Sequence, residues 1–273
     1  MPVLVAIDIL TGLVSAACTP SKNAYKYLLS DLQSFVYEAG RTYGTVQSDN
    51  EPVIRKITED LIKAIPGMKR RFTPKYSSSS NAQVERAHQT LQAMFRTLRI
   101  HVEQSYDIKL NVASPIIPWV VRHSAFLVSR YLQHSDGHTP YQRRWSKDFG
   151  QPLCEFSEQV LFRPMKKSQA KLESTWSKGL WLGRASDTGE ILIGAPTGVF
   201  LTRTVRRLPI EDKYSDRKLF SRFRAVPWDH KLDGTFYPSY LHVSPQLSVD
   251  PSVRASLSPP HPNAVSYTHL RAH

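Results

Sequence analysis

The chain is short of cysteine, of acid and of long apolar runs, and each shortage excludes something. Only two cysteines, Cys18 and Cys154, occur in 273 residues. They lie far apart, and no Cys-x-x-Cys pair or His/Cys spacing suits a zinc module, so a reducing compartment is the expectation. No apolar stretch is long enough to span a membrane. The opening Met1-Pro-Val-Leu-Val-Ala-Ile-Asp8-Ile-Leu10 lacks the basic start of a secretory signal, and Asp8 interrupts its apolar run. It reads as a buried strand. Acids number 23 against 36 Lys and Arg, which gives a net charge of +13. Such an excess points to a polyanionic partner, nucleic acid first, although an ordinary basic protein carries the same signal. Apolar residues make up 41%, enough for a core, and the length suits one or two domains with tails.

The stretch from Thr45 to Arg99 holds two signatures. The first, Thr45-Val-Gln-Ser-Asp-Asn-Glu-Pro-Val53, is a short strand ended by Asp49-Asn50. Sites in open α/β sheets form just past the carboxyl ends of strands. The second runs from Pro74 through four serines to Leu91. Ser80 with Gln83 has capping-box spacing, so a helix is expected from there to about Val102. Its apolar stripe is Val84, Ala87, Leu91, Met94/Phe95, Leu98 and Val102. Glu85 falls on the polar face, followed by Gln89, Gln92, Arg96 and Arg99. A strand-end Asp and a first-turn Glu that meet across a cleft attract hard divalent cations, Mg²⁺ or Mn²⁺. The spacing alone is weak, since an acid falls at a given offset about one time in twelve. A turn aspartate and a solvated helix glutamate would read the same.

In context, these residues resemble the catalytic core of retroviral and retrotransposon integrases. The family pattern is Asp-Asn-Gly on a strand and Asn-Gly-x-x-Glu-Arg on a helix. Asp49-Asn50 and Asn81-Ala-Gln-Val-Glu85-Arg86 stand in those places. Glu51 and Ala82 replace the two glycines. The resemblance implies an α/β, ribonuclease-H-like mixed sheet with flanking helices. It also implies phosphoryl transfer on DNA, with Asp49 and Glu85 as catalytic metal ligands for Mg²⁺ or Mn²⁺. Gln89, Gln92 and Arg96 become candidate DNA contacts. Partners would be DNA, both element ends and target, and further copies of the chain in an integration complex. The site of action would be the nucleus, or a cytoplasmic particle before nuclear entry.

Asp8 is tempting as a third acid. The run Val3-Leu-Val-Ala-Ile-Asp-Ile-Leu-Thr-Gly-Leu-Val14 instead resembles the family's second strand and the turn after it. Asp8 can simply cap the hairpin at Thr11-Gly12. The first strand and its Asp would then lie outside this sequence. Two-metal sites hold ions about 3.5–4 Å apart, normally with three acids. With Asp49 and Glu85 alone, the chain is expected to be inactive or nearly so.

Further along, His138-Thr-Pro-Tyr-Gln-Arg-Arg-Trp145 resembles the Thr-Pro-Tyr-Glu-x-Trp segment of copia-type elements. Val128-Ser-Arg130 stands where those carry Asn-Arg. An interdomain linker with an anchoring Trp is the alternative. Four candidate strands follow, Glu158–Arg163, Gly179–Arg184, Glu190–Gly194 and Val199–Leu208, separated by glycine turns. They suggest a small β-barrel or sandwich, and the integrase resemblance implies a small basic barrel here that binds DNA, with Arg203, Arg206 and Arg207 as its candidate contacts. The expected division is a core lacking its first strand (1–134), a linker (135–152), a small all-β basic DNA-binding domain (153–209) and a largely disordered tail (210–273). The final Val265-Ser-Tyr-Thr-His-Leu-Arg-Ala-His273 looks like translated adaptor sequence. Two rival readings are a non-catalytic DNA-binding remnant and a related ribonuclease-H-like nuclease or DNA transposase.

Overall fold

The computed structural model describes residues 1–19, 25–48, 51–72, 78–164, 175–186, 188–229 and 267–272, with backbone alone for 72, 78–81 and 267–272. Strands β1 (Val3–Asp8) and β2 (Val14–Cys18) form the expected antiparallel hairpin, with Val5 opposite Ala16 and Ile7 opposite Val14. Helix α1 (Tyr25–Glu38) leads to β3 (Tyr43–Ser48), α2 (Pro52–Ala64) and β4 (Gly67–Phe72). Helix α3 (Ser78–Tyr106) and helix α4 (Ile117–Tyr131) follow. A last strand, β10 (Tyr267–Ala272), inserts between β1 and β3 and gives the order β2-β1-β10-β3-β4. It runs antiparallel to β1 and parallel to β3. Six of the residues that look like adaptor sequence therefore hold the centre of the sheet.

Side-chain alternation along β1 fixes the layers. Leu4 and Ala6 join Val46 of β3 in a core against α1 and α2. Val5 and Ile7 face the other way and pack with Val84, Ala87 and Leu91 of α3 and with Val121 and Val128 of α4. Helices thus cover both faces of the sheet. Of the apolar stripe expected for α3, Val84, Ala87, Leu91 and Val102 are buried and Met94, Phe95 and Leu98 are half-buried. The helix itself begins at Ser78, so Ser80 is inside it and not its cap. Serine costs little in a helix interior, so the start could move. Its far end reaches Tyr106, whose hydroxyl donates to the Ser157 carbonyl at 2.7 Å and so extends the helix past Val102.

Helix α5 (Pro140–Trp145) opens with a complete capping box, Thr139 with Gln142. Trp145 packs against the α1/α2 core. Arg144 donates to the Glu38 carbonyl and lies over Gly40, where a Cβ would stand 2.3 Å from its guanidinium. Gly40 also has a φ of +71°, so this close approach needs glycine twice over.

Five strands follow: β5 (Gln159–Phe162), β6 (Ser177–Arg184), β7 (Ile191–Ala195), β8 (Gly198–Thr202) and β9 (Val205–Arg207). They make one antiparallel sheet, ordered β8-β7-β6-β5-β9. The single strand expected over Val199–Leu208 is thus two. Three Cα steps, at most ~11 Å, join β8 to β9, whereas flat edges would lie ~19 Å apart. The sheet must coil until its edges approach. No ladder between β8 and β9 closes it into a barrel among the described residues. Order continues past Pro209, through a 3-10 turn at Ile210–Asp212 and helix α6 (Arg217–Arg222), as far as Asp229. Leu219, Phe223 and Ala225 are buried there in a cluster with Tyr106, Trp119, Leu180 and Leu182. Apolar anchors, read as part of a charged tail, hold that segment down.

Candidate functional site

Strand β3 ends at Ser48, which is fully buried. Asp49 and Asn50 lie outside the described residues. The chain resumes at Glu51, with Pro52 opening α2, where its missing N–H costs nothing. Val46 packs on the α1/α2 side, so Gln47 faces the α3 side by alternation.

Glu85 lies on α3 between the buried Val84 and Ala87 and is exposed. Gln89, Gln92 and Arg96 are exposed along the same helix, as expected. The Gln92 amide lies 3.4 Å from the His88 ring. Arg99 turns away, donating to Glu103 and to the Leu110 carbonyl. Under this helix is an apolar cavity of about 270 Å³, lined by Val5 and Cys18 from the sheet and by His88, Leu91 and Phe95 from the helix. Burial pushes the Cys18 thiol up to about 12, so it is inert.

The cavity sets the middle of α3 beside Val5. Val5 pairs with residue 271 of β10, one step past the Leu270–Ser48 pair. The middle turns of α3, around His88 and Leu91, therefore share a cavity with the sheet at the level of that step. The helix carrying Glu85 packs on the same face of the sheet that Gln47 takes.

Asp8 belongs elsewhere. It sits on the α1/α2 face, one strand further out than β10, and its side chain is 0% exposed. Arg41 Nε and Nη2 donate to its two oxygens at 2.8 Å each. Thr11 donates its backbone N–H at 3.0 Å and its hydroxyl at 2.6 Å. Burial alone would raise the carboxyl pKa, but the Arg41 and Thr11 bonds outweigh it and hold the group below its ordinary value. Asp8 is a structural anion. Arg41 carries no motif, and its pairing with a residue 33 positions away left no signal in the sequence.

No group of three or more His, Cys, Asp or Glu residues suited to a metal occurs among the described residues. No family model matches the sequence, and no curated protein matches it. Among solved structures the chain is similar to the catalytic core domain of BIV integrase. That likeness has 22% identity and a TM-score of 0.36, and it covers 53% of this chain and 85% of that one. It is also similar to a simian T-cell lymphotropic virus intasome in complex with a PP2A regulatory subunit. There the identity is 16% and the TM-score 0.41, over 76% of this chain and 72% of that one. No helix among the described residues is long and apolar enough to cross a membrane.

The three basic residues singled out on the second sheet differ in their surroundings. Arg203 is 85% exposed, 3.3 Å from Glu190. Arg206 lies over the Trp176 ring, 4.3 Å from its centroid, a cation–π distance. Arg207 makes a two-pronged pair with Glu158, 2.7 Å on each arm, and Glu158 is 0% exposed.

Proposed function

We propose that this chain is the integrase region of a copia-type retrotransposon polyprotein, without the strand that carries the first acid. In this reading Asp49 and Glu85 hold Mg²⁺ or Mn²⁺, whose chemistry is to activate the attacking oxygen and stabilise the leaving one. A hard oxygen donor pair suits such ions. The observation that carries the reading is the placement of α3. Glu85 is exposed on it, and the helix packs through Val84, Ala87 and Leu91 on the sheet face that Gln47 takes. Gln89, Gln92 and Arg96 continue the exposed side of the helix as a DNA-facing edge. The division into a core (1–134), a linker (135–152), a basic DNA-binding module (153–209) and a tail belongs to this proposal. So do assembly with further copies on DNA ends and action in the nucleus or a cytoplasmic particle.

A second reading, a non-catalytic DNA-binding remnant, is favoured by one fact. The strand beside β3 has the sequence Tyr-Thr-His-Leu-Arg-Ala, with no acid. The two readings separate in a nicking assay on labelled duplex DNA with Mg²⁺. The integrase reading expects Mg²⁺-dependent nicking once an acid-bearing strand is restored, and its loss in Asp49→Asn and in Glu85→Gln. Nicking absent from the restored protein, with salt-sensitive DNA binding intact, selects the remnant.

A further inference from the structure

The centre of the main sheet is occupied by residues that suit it poorly. β1 and β3 do not pair with each other. Each pairs with β10 alone on its inner edge: Leu4 to Asp8 on one side, Thr45 to Ser48 on the other. Remove β10, and β1 and β3 face each other across two strand spacings, about 9–10 Å. The walls of that gap are Leu4, Val5, Ala6, Ile7, Val46 and Ser48, all buried, with helix-borne cores on both faces. A strand covered on both faces normally reads as a near-continuous apolar run. Its neighbour β1 does, as Val-Leu-Val-Ala-Ile-Asp. β10 brings a tyrosine, a threonine, a histidine and an arginine and only one long aliphatic residue. It also reaches the gap from the far side of residues 230–266, a connection of 37 residues. Long connections close at a modest effective concentration, so a competing strand need only be a better fit.

We propose that the gap between β1 and β3 is a strand-acceptor site, held by Tyr267–Ala272 as a placeholder. Its preferred occupant is an extended apolar, β-branched segment of about six residues from another stretch of polypeptide. It enters antiparallel to β1 and parallel to β3, gaining the ladder bonds that β10 now makes. Main-chain pairing supplies affinity, and the apolar walls select the sequence. One finer statement rests on the function proposed above. A carboxylate at the level of residue 271, opposite Val5, would lie on the α3 side, one step past the Leu270–Ser48 pair.

The test uses the full chain and a synthetic peptide with the core Val-Ile-Val-Val-Asp-Val between lysines, beside a version with Asn for Asp and one with a central Pro. Binding is read by fluorescence polarisation, and hydrogen exchange is followed at 4–7, 45–48 and 267–272. The Asp and Asn peptides should bind saturably, strip protection from 267–272 and leave 4–7 and 45–48 protected. The Pro peptide should not. Leu270→Pro in the chain weakens the placeholder and should tighten peptide binding at least tenfold. If that variant fails to fold alone, it should fold when the peptide is present. No saturable binding to either chain, or binding that leaves 267–272 protected, overturns the acceptor site. Nicking is scored separately. Asp and Asn peptides that both displace β10, with Mg²⁺-dependent nicking from neither, leave the acceptor site standing and refute the proposed function.

Discussion

Asp8→Asn should destabilise the protein without touching any metal site, and its cost follows from the geometry. The carboxylate is fully buried and receives four donors, two from Arg41 and two from Thr11. An amide keeps one acceptor oxygen but turns an NH₂ toward donors. Breaking a buried charge pair typically costs roughly 3–5 kcal/mol. The Arg41 side chain is 21% exposed and can recover some water, so about 3 kcal/mol is expected. That is a large share of a typical domain stability of roughly 5–15 kcal/mol. Urea titration at pH 7 measures it. Arg41→Gln should cost a similar amount, and the double variant clearly less than the sum, because the two changes remove one interaction.

The pH dependence of Asp8 has a definite sign. Its folded pKa is held below the ordinary 3.8. The stability it contributes is complete above 3.8 and is lost as pH falls through the lower, folded value. Asp8→Asn should therefore flatten the acid limb below that pH. An Asp8→Asn protein within about 0.5 kcal/mol of the parent, with an unchanged acid limb, would refute the reasoning. A metal-binding acid would behave in the opposite way, losing activity and keeping stability.

Other outcomes are expected. Ser129 Oγ accepts from the Val14 N–H and donates to the Val14 carbonyl, both at 3.0 Å, so Ser129→Ala leaves two groups of the β2 edge without a partner. It should lower stability by about 2 kcal/mol in thermal melts and raise the tendency to self-associate at that edge. His123, packed among Phe126, Phe156 and Trp181, is driven by burial to a pKa of about 3. Its stability contribution is whole above 6.5 and falls as pH drops below that, with a slope approaching about 1.4 kcal/mol per pH unit. His123→Phe should remove that slope from urea titrations between pH 6.5 and 4. Replacing Arg203 and Arg206 together by alanine should weaken DNA binding for all sequences alike and reduce the log–log salt slope by up to about 2. An unchanged slope counts against that surface.

Much of the main sheet could be read from the chain because its signals are local. Alternation in Val3–Asp8 and the stripe from Val84 to Val102 each depend on a few neighbouring residues, and both match the buried faces. What could not be read depends on partners distant in sequence. Ser129 departs from the Asn-Arg pattern, yet its hydroxyl serves both backbone groups of Val14, 115 residues away. The order beyond Pro209 comes from Trp119 donating to the Ala225 carbonyl and from Phe223 entering a core shared with α3 and α4. A charge-rich segment gives no sign of such anchors. The placing of β10 is the extreme case, since nothing local in Tyr267–Ala272 points to a central strand.

Net charge, the broadest signal in the sequence, needs the same correction. An excess of +13 suggests a large stock of cations for a polyanion. The structure has already engaged many of them internally. Arg41 holds Asp8, Arg122 and Arg130 hold Asp31 and Glu38 beneath α4, and Arg143 holds Asp136. Burial raises the pKa of both Asp31 and Glu38, and the arginines beside them work against it, so these pairs serve the fold. Arg207 is the instructive member. From the sequence it looks equivalent to Arg203 and Arg206, being one basic residue in a run. In the fold it is the counter-ion of the buried Glu158, and its own pKa is raised chiefly by that bond. Removing it would strand a buried carboxylate, and weaker DNA binding in such a variant would report damage to the sheet. Arg203, exposed and paired with a Glu190 that is 12% exposed, and Arg206, stacked on Trp176, can be removed without stranding a fully buried acid, so the electrostatic test of this surface belongs to those two.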